Sequence, residues 1–179
     1  MLVAKRMMRN PVFVDENDSM KKAMEILKDR EIRHLPVLKG GKKLVGVLSE
    51  TDIRQASPSP ATALEIREIY YLLDQIKVKQ IMTKKAYTIS PGAPIEEAAL
   101  IMREKKIGCL PVLEEGRLVG ILTETDILDA FIESMGVSGP GYRIELGMPN
   151  RPGMLFEALA LLKDFDANVG SVEIGRAHV

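Results

Sequence analysis

Leu44-Val45-Gly46-Val47-Leu48-Ser49-Glu50-Thr51-Asp52-Ile53 returns further along the chain as Leu118-Val119-Gly120-Ile121-Leu122-Thr123-Glu124-Thr125-Asp126-Ile127, an offset of 74. Just upstream, Ile32-Arg33-His34-Leu35-Pro36-Val37-Leu38 matches Ile107-Gly108-Cys109-Leu110-Pro111-Val112-Leu113 at an offset of 75, so one residue is lost between the paired segments. Met7, Ala23 and Ile26 align in the same way with Met82, Ala98 and Ile101. Self-similarity at this period means a duplicated supersecondary unit. The units run from about Met7 to Ala56 and from about Met82 to Ala130.

Each unit reads β-α-β-β-α. A short extended stretch, Pro11 to Val14 or Ala86 to Ile89, precedes a helix. In the first copy Asp18 is the expected N-cap, and Met20, Ala23, Met24 and Leu27 form an apolar stripe. In the second copy Pro94 suits the first helical turn, and Ile95, Ala98, Ala99 and Met102 repeat the stripe. Two strands follow, Leu35–Leu38 with Leu44–Leu48 and Leu110–Leu113 with Leu118–Leu122, turning through glycine-bearing loops. The continuous apolar run Val45-Gly46-Val47-Leu48 predicts a strand covered on both faces. A second helix starts after Ser49 or Thr123.

The rest of the chain sets the boundaries. Ser57-Pro58-Ser59-Pro60 is a stiff break, Thr62-Ala63-Leu64-Glu65 has the form of a capping box, and Ile66, Ile69, Tyr70 and Leu73 predict a linker helix packed on the repeats. Residues 136–141 read as a flexible hinge. Beyond it, Tyr142, Ile144, Leu146 and Met148 alternate as a half-buried strand would. The Asn150-Arg151-Pro152-Gly153 turn leads into a helix bearing Leu155, Ala158, Leu159 and Leu162, and Val169–Ile174 can form another strand. The expected division is 1–56, 57–81, 82–135, 136–141 and 142–175, with 176–179 an added or frayed tail.

The composition narrows the function classes. The 179 residues are 46% hydrophobic and 28% charged, enough for a core and a soluble surface. Lys+Arg and Asp+Glu are both 25, which argues against a general nucleic-acid binder. No apolar run approaches a membrane span, and no secretory leader is visible. The single cysteine, Cys109, fits a reducing compartment, hence a cytoplasmic expectation, and gives no support to a zinc site. His34 and Cys109, at equivalent positions, read as pocket-edge or core residues rather than as a nucleophile or metal ligands. The 10 methionines read as core filler. No general base or nucleophile is placed for catalysis, so no enzyme, no cofactor and no metal are expected.

The Gly-x-x-[Ser/Thr]-x-Thr-Asp segments admit two readings. Ser49-x-x-Asp52 and Thr123-x-x-Asp126 are near-capping boxes, and acidic residues suit a helix N-terminus. The same geometry can hold a ribose phosphate. Helix N–H groups and the hydroxyls of Ser49, Thr51, Thr123 and Thr125 would meet phosphate, and the Asp52 and Asp126 carboxylates would accept from ribose hydroxyls. Gly46 and Gly120 would let a ligand approach the backbone. A cap and a ligand contact can coexist.

The tandem arrangement of Leu-Pro-Val, Leu-Val-Gly and [Ser/Thr]-Glu-Thr-Asp resembles a pair of CBS domains, the Bateman module, over nearly all of Met7 to Phe131. The resemblance implies an α/β (α+β) fold with two repeats about a pseudo-two-fold axis and two adenosine-nucleotide clefts. It implies that Asp52 and Asp126 hold ribose, and that Ser49, Thr51, Thr123 and Thr125 meet phosphate. Backbone at Ile32 to His34 and at Ile107 to Cys109 would meet the base, and Asn10 or Lys85 would line the pockets. The segment Ala56–Ile66 looks like the linker of AcuB-type acetoin utilization proteins, and the tail is similar to the first β-α-β half of a ferredoxin-like ACT domain. The expected function is a regulatory, energy-sensing module binding AMP, ADP, ATP or an S-adenosyl ligand, acting as a homodimer on a separate enzyme. The alternative is a constitutive dimerisation scaffold in which the repeated boxes only cap helices.

Overall fold

In the computed structural model residues 1–57, 66–136, 142–163, 165 and 168–175 are described. They belong to two units, Met1–Ile127 and Leu128–Val179. The first begins with a single 3-10 turn, Val3–Lys5. In chain order it then holds β1 (Met8–Arg9), β2 (Val14–Asp15), α1 (Met20–Asp29), β3 (His34–Lys39), β4 (Lys43–Ser49) and α2 (Glu50–Ala56). Next come α3 (Ile66–Gln75), α4 (Val78–Ile81), β5 (Thr83–Lys84), α5 (Ile95–Lys105), β6 (Cys109–Glu114), β7 (Arg117–Thr123) and the start of α6 (Glu124–Ser134).

The two hairpins explain the change of offset. Between β3 and β4 the turn uses Gly40 at φ 59° and Gly41 at φ 67°, with Lys42 before β4. Between β6 and β7 only Glu115 (φ 49°) and Gly116 (φ 77°) intervene, so the second hairpin is one residue shorter. Both loops need left-handed residues, as tight hairpin turns do. Each hairpin also carries a register shift at the same place, Val37/Leu38 and Val112/Leu113.

The first short strand of each repeat joins the other repeat's sheet. β1 pairs antiparallel with β7, with Met8 opposite Ile121 and Arg9 opposite Gly120. β5 pairs antiparallel with β4, with Thr83 opposite Val47 and Lys84 opposite Gly46. The sheets are therefore β2-β3-β4-β5 and β1-β7-β6. The motif glycines make this exchange possible. A Cβ on Gly46 would stand 2.6 Å from the Thr83 carbonyl oxygen and 2.9 Å from Met82 Sδ. One on Gly120 would stand 2.6 Å from Met7 Sδ and 3.0 Å from the Met8 carbonyl oxygen. The space of each missing side chain is taken by the exchanged segment.

Burial follows the predicted stripes. Met20, Ala23 and Leu27 of α1 pack with Val14, Leu35, Val37, Leu48 and Ile53, and Leu73 of the linker helix and Val78 of α4 complete that core. In the second repeat Ile95, Ala98 and Met102 are buried, as are Ile89, Leu110, Val112 and Leu122. Each fully buried leucine contributes about 1.5–3 kcal/mol relative to an exposed one. Val47, Cys109 and Ile121 form a separate cluster between the sheets, with Ala86 against it.

Several local expectations change. Ser19, not Asp18, caps α1, accepting from the Lys22 N–H at 3.3 Å. Asp18 instead accepts from the Asp15 N–H and pairs with Lys22 Nζ at 2.8 Å. Pro94 stands at the N-cap of α5, one residue before the first helical turn. The first strand of each repeat is shorter than predicted: only Val14–Asp15 pairs in one copy, and in the other only Ile89, bridged to Val112.

The second unit, Leu128–Val179, holds α7 (Met154–Lys163), the helix the apolar stripe predicts. The two strands expected at Tyr142–Met148 and Val169–Ile174 do not form among the described residues, so the β-α-β half is not built. Alternation marks a face, but a strand needs a neighbour to receive its backbone hydrogen bonds. Here Tyr142 is 100% exposed and Ile174 79%, so these side chains bury too little apolar surface to offset the ordering entropy. The Pro58–Glu65 part of the linker, most of the 136–141 hinge and the terminal 176–179 lie outside the described residues.

Candidate functional site

Ser49 ends β4 and caps α2; Thr123 ends β7 at the start of α6. In each copy one carboxylate oxygen closes a reciprocal box. Asp52 Oδ2 accepts from the Ser49 N–H at 2.8 Å and from Ser49 Oγ at 2.7 Å, and the Asp52 N–H donates to Ser49 Oγ at 3.1 Å. Asp126 Oδ2 accepts from the Thr123 N–H at 2.7 Å and from Thr123 Oγ1 at 2.6 Å, with the Asp126 N–H to Thr123 Oγ1 at 3.3 Å. The capping reading is therefore right. It uses only Oδ2, and both carboxylates are half-buried rather than covered. An ionised carboxylate has capacity for further hydrogen bonds.

The base-facing segments are equally repetitive. The Ile32 and Ile107 N–H groups close the preceding helices onto Leu27 and Met102. The Arg33 and Gly108 carbonyls accept from the Glu50 and Glu124 N–H groups at 3.0 and 3.2 Å. Asn10 (φ 49°) and Lys85 (φ 57°) both adopt the left-handed conformation just after an exchanged strand. Asn10 therefore lies beside β7, its N–H on the Val119 carbonyl, whereas Lys85 follows the strand paired with β4. A cavity of about 400 Å³ sits there, lined by Lys43, Val45, Gly46, Lys85, Ala86 and Leu113 among others. Of the expected site residues only Lys85 lines it; Ser49, Thr51, Asp52 and Cys109 do not.

Strand exchange brings the two repeats against each other at these positions. Lys85 follows the strand paired with β4, Asn10 lies beside β7, Arg33 reaches Thr125, and Asp52 acts on Cys109. Electrostatics report the same proximity. Cys109 is buried, and its thiol is pushed up to about 12, first by burial and then by Asp52 and Glu124. The His34 imidazole is held below its ordinary value by burial and by Arg33, against the opposing pull of Glu124 and Asp52. A Cβ on Gly108 would touch the His34 ring at 3.0 Å. Both His34 and Cys109 lie at this inter-repeat seam. Among the described residues no group of acidic, His and Cys side chains could hold a metal ion.

Two residues enter that the motif reading did not single out. The Arg33 Nη2 donates to Thr125 Oγ1 at 3.3 Å, across the repeats. Glu124 bears on His34 and on Cys109. The sequence held a signal for the first, because Arg33 aligns with Gly108, the largest change of size and charge inside the repeated motif.

This duplicated fold, with a hydroxyl–carboxylate corner at the end of each central strand, defines a tandem-repeat module. The CBS domain model matches residues 3–59 and 78–133, and the chain belongs to the CBS domain family, carrying the domain twice. A CBS domain-containing protein of Dictyostelium discoideum is 32% identical over 134 residues, 74% of this chain and 92% of its own length. A Vibrio cholerae structure described as an acetoin utilization protein (AcuB) is 29% identical, with TM-score 0.62 over 78% of this chain and 98% of that one. The CBS domain pair of protein MJ0100, solved with 5′-methylthioadenosine and S-adenosyl-L-methionine, is 28% identical, with TM-score 0.61 over 73% of this chain and 95% of that one. CBSX2, solved with AMP, is 26% identical, with TM-score 0.63 over 73% of this chain and 96% of that one. Among the described residues no helix is long and apolar enough to cross a membrane.

Proposed function

We propose that this chain is a regulatory module that binds adenosine ligands in two inter-repeat clefts. The carrying observation is that Asp52 and Asp126 each close a cap through Oδ2 alone, leaving carboxylate capacity for ribose hydroxyls. Support comes from the adenosine ligands seen in two similar CBS pairs, AMP in one and methylthioadenosine with S-adenosylmethionine in the other. Ser49, Thr51, Thr123 and Thr125 would face phosphate. The Ile32–His34 and Ile107–Cys109 backbones would face the base, and Asn10 and Lys85 would line one cleft each. The residue divisions given above are proposed as the functional ones. Catalysis plays no part: binding shifts the two repeats between arrangements by its differential affinity for them.

The proposal extends to a cytoplasmic homodimer that signals to a separate enzyme. Leu128, Phe131 and Ile132 of α6 are exposed, Phe131 by 57%, and offer an apolar face for self-association. The tail strands would then form with a second copy, each chain giving a β-α-β half to one ACT-like sheet. A tail that sediments as part of a monomer would count against this.

Thermal unfolding with AMP, ATP, S-adenosylmethionine and NAD tests the binding. A ligand held only by the native state adds about 2.7 kcal/mol at a hundredfold excess over Kd. Asp52→Ala and Asp126→Ala should each remove one cleft's contribution, and the double variant should remove both. A parent that ignores all four ligands leaves the scaffold reading, with the boxes acting as caps only.

A further inference from the structure

We propose that Arg33 makes the Thr123–Thr125–Asp126 cleft the one that selects a 5′-phosphate, while the Ser49–Thr51–Asp52 cleft lacks that selection. This rests on the adenosine-binding reading and goes beyond it by giving the two clefts different chemistry.

Three observations carry it. The Arg33 guanidinium reaches across the repeats to Thr125 Oγ1 at 3.3 Å, so it stands beside a hydroxyl that faces phosphate in the proposed cleft. It is exposed and makes no ion pair among the described residues, so its remaining donors are open to an anion. A planar guanidinium matches a phosphate with paired hydrogen bonds. At the equivalent place beside the other cleft the residue is Gly108, and among the described residues no arginine meets Thr51. No side chain could be added there cheaply: a Cβ on Gly108 would meet the His34 ring at 3.0 Å and Glu124 Oε2 at 3.6 Å. Lys43 and Lys85 line the cavity along β4 on that side, but they are point charges without a guanidinium's paired donors. A phosphate dianion gains an arginine in one cleft and finds glycine at the equivalent place in the other. A ligand with a thioether or a sulfonium in place of the phosphate needs no such partner.

The experiment is calorimetric titration of the full chain with AMP and, separately, with adenosine and 5′-methylthioadenosine. Asp52→Ala and Asp126→Ala isolate the clefts. With Asp52→Ala, AMP should bind at least about tenfold more tightly than adenosine; with Asp126→Ala the two should be within about threefold. Arg33→Ala should weaken AMP about 10- to 100-fold in the first background, leaving adenosine unchanged, and Arg33→Lys should restore part of the loss. Arg33 is exposed, so folding is expected to survive, and an unchanged melting temperature checks it. Equal loss of AMP and adenosine on Arg33→Ala, or an effect confined to the Asp126→Ala background, overturns the assignment while adenosine binding itself stands. A parent that binds none of the three ligands overturns the assignment and the binding reading together.

Discussion

Cys109 shows how a residue's surroundings decide its chemistry. It stands where the first repeat has His34, yet burial beside Asp52 and Glu124 keeps its thiol protonated. Native protein should therefore react with a disulfide reagent far more slowly than the urea-unfolded chain, and a rate equal to that of the unfolded chain would refute the buried placement. The sign of the pH effect follows. The unfolded thiol ionises near its ordinary 9.0 and the folded one near about 12, so above pH 9 the unfolded state releases a proton that the native state keeps. Stability should fall as pH rises through that window. The urea midpoint of Cys109→Ala should lack this slope. His34 works in the other direction. Its folded value is lowered, so its contribution is complete above the ordinary 6.5 and declines as pH drops below it.

At the scale of elements, the exchanged strands β1 and β5 are the feature that periodicity could not reveal. Each is two residues long, too short to show alternation, and pairing across the repeats is a tertiary event. The aligned Met7 and Met82 and the aligned Gly46 and Gly120 were all visible in the chain, but their mutual contact was not. Substitution distinguishes the two seams. Gly46→Ala drives a Cβ into the Thr83 backbone carbonyl and should cost about 1–3 kcal/mol in urea unfolding. Gly120→Ala chiefly meets the Met7 thioether, which can move, and should cost less. Met7→Ala should rescue Gly120→Ala more fully than Met82→Ala rescues Gly46→Ala, and equal rescue would contradict the difference in contacts. The hydroxyl–carboxylate caps and the hairpins, by contrast, were legible because their causes are local: Ser49 with Asp52, and the glycines of the two turns, whereas the α1 cap fell one residue on, at Ser19 instead of Asp18.

For the whole molecule, exchange makes the repeats interdependent. Removing Met1–Arg9 takes away β1, which pairs with β7, and the buried Met7, which packs on Gly120 of β7, together with the buried Val3. Hydrogen exchange on that deletion should show lost protection in β7 while β3 and β4 stay protected; uniform loss, or none, would speak against the pairing. In the proposed reading each cleft draws residues from both repeats, so a single excised repeat should bind no adenosine ligand even where it folds.

The residues alone determined the duplication, the β-α-β-β-α order, the buried stripes and the hydroxyl–carboxylate caps, since each depends on neighbours a few positions apart. Tertiary structure decided which sheet receives each short strand, that the motif glycines accommodate methionine and backbone, that Arg33 meets Thr125, and that the tail's alternating segments stay unpaired. Those outcomes depend on contacts between residues far apart in the chain, where spacing carries no information and packing and backbone pairing do.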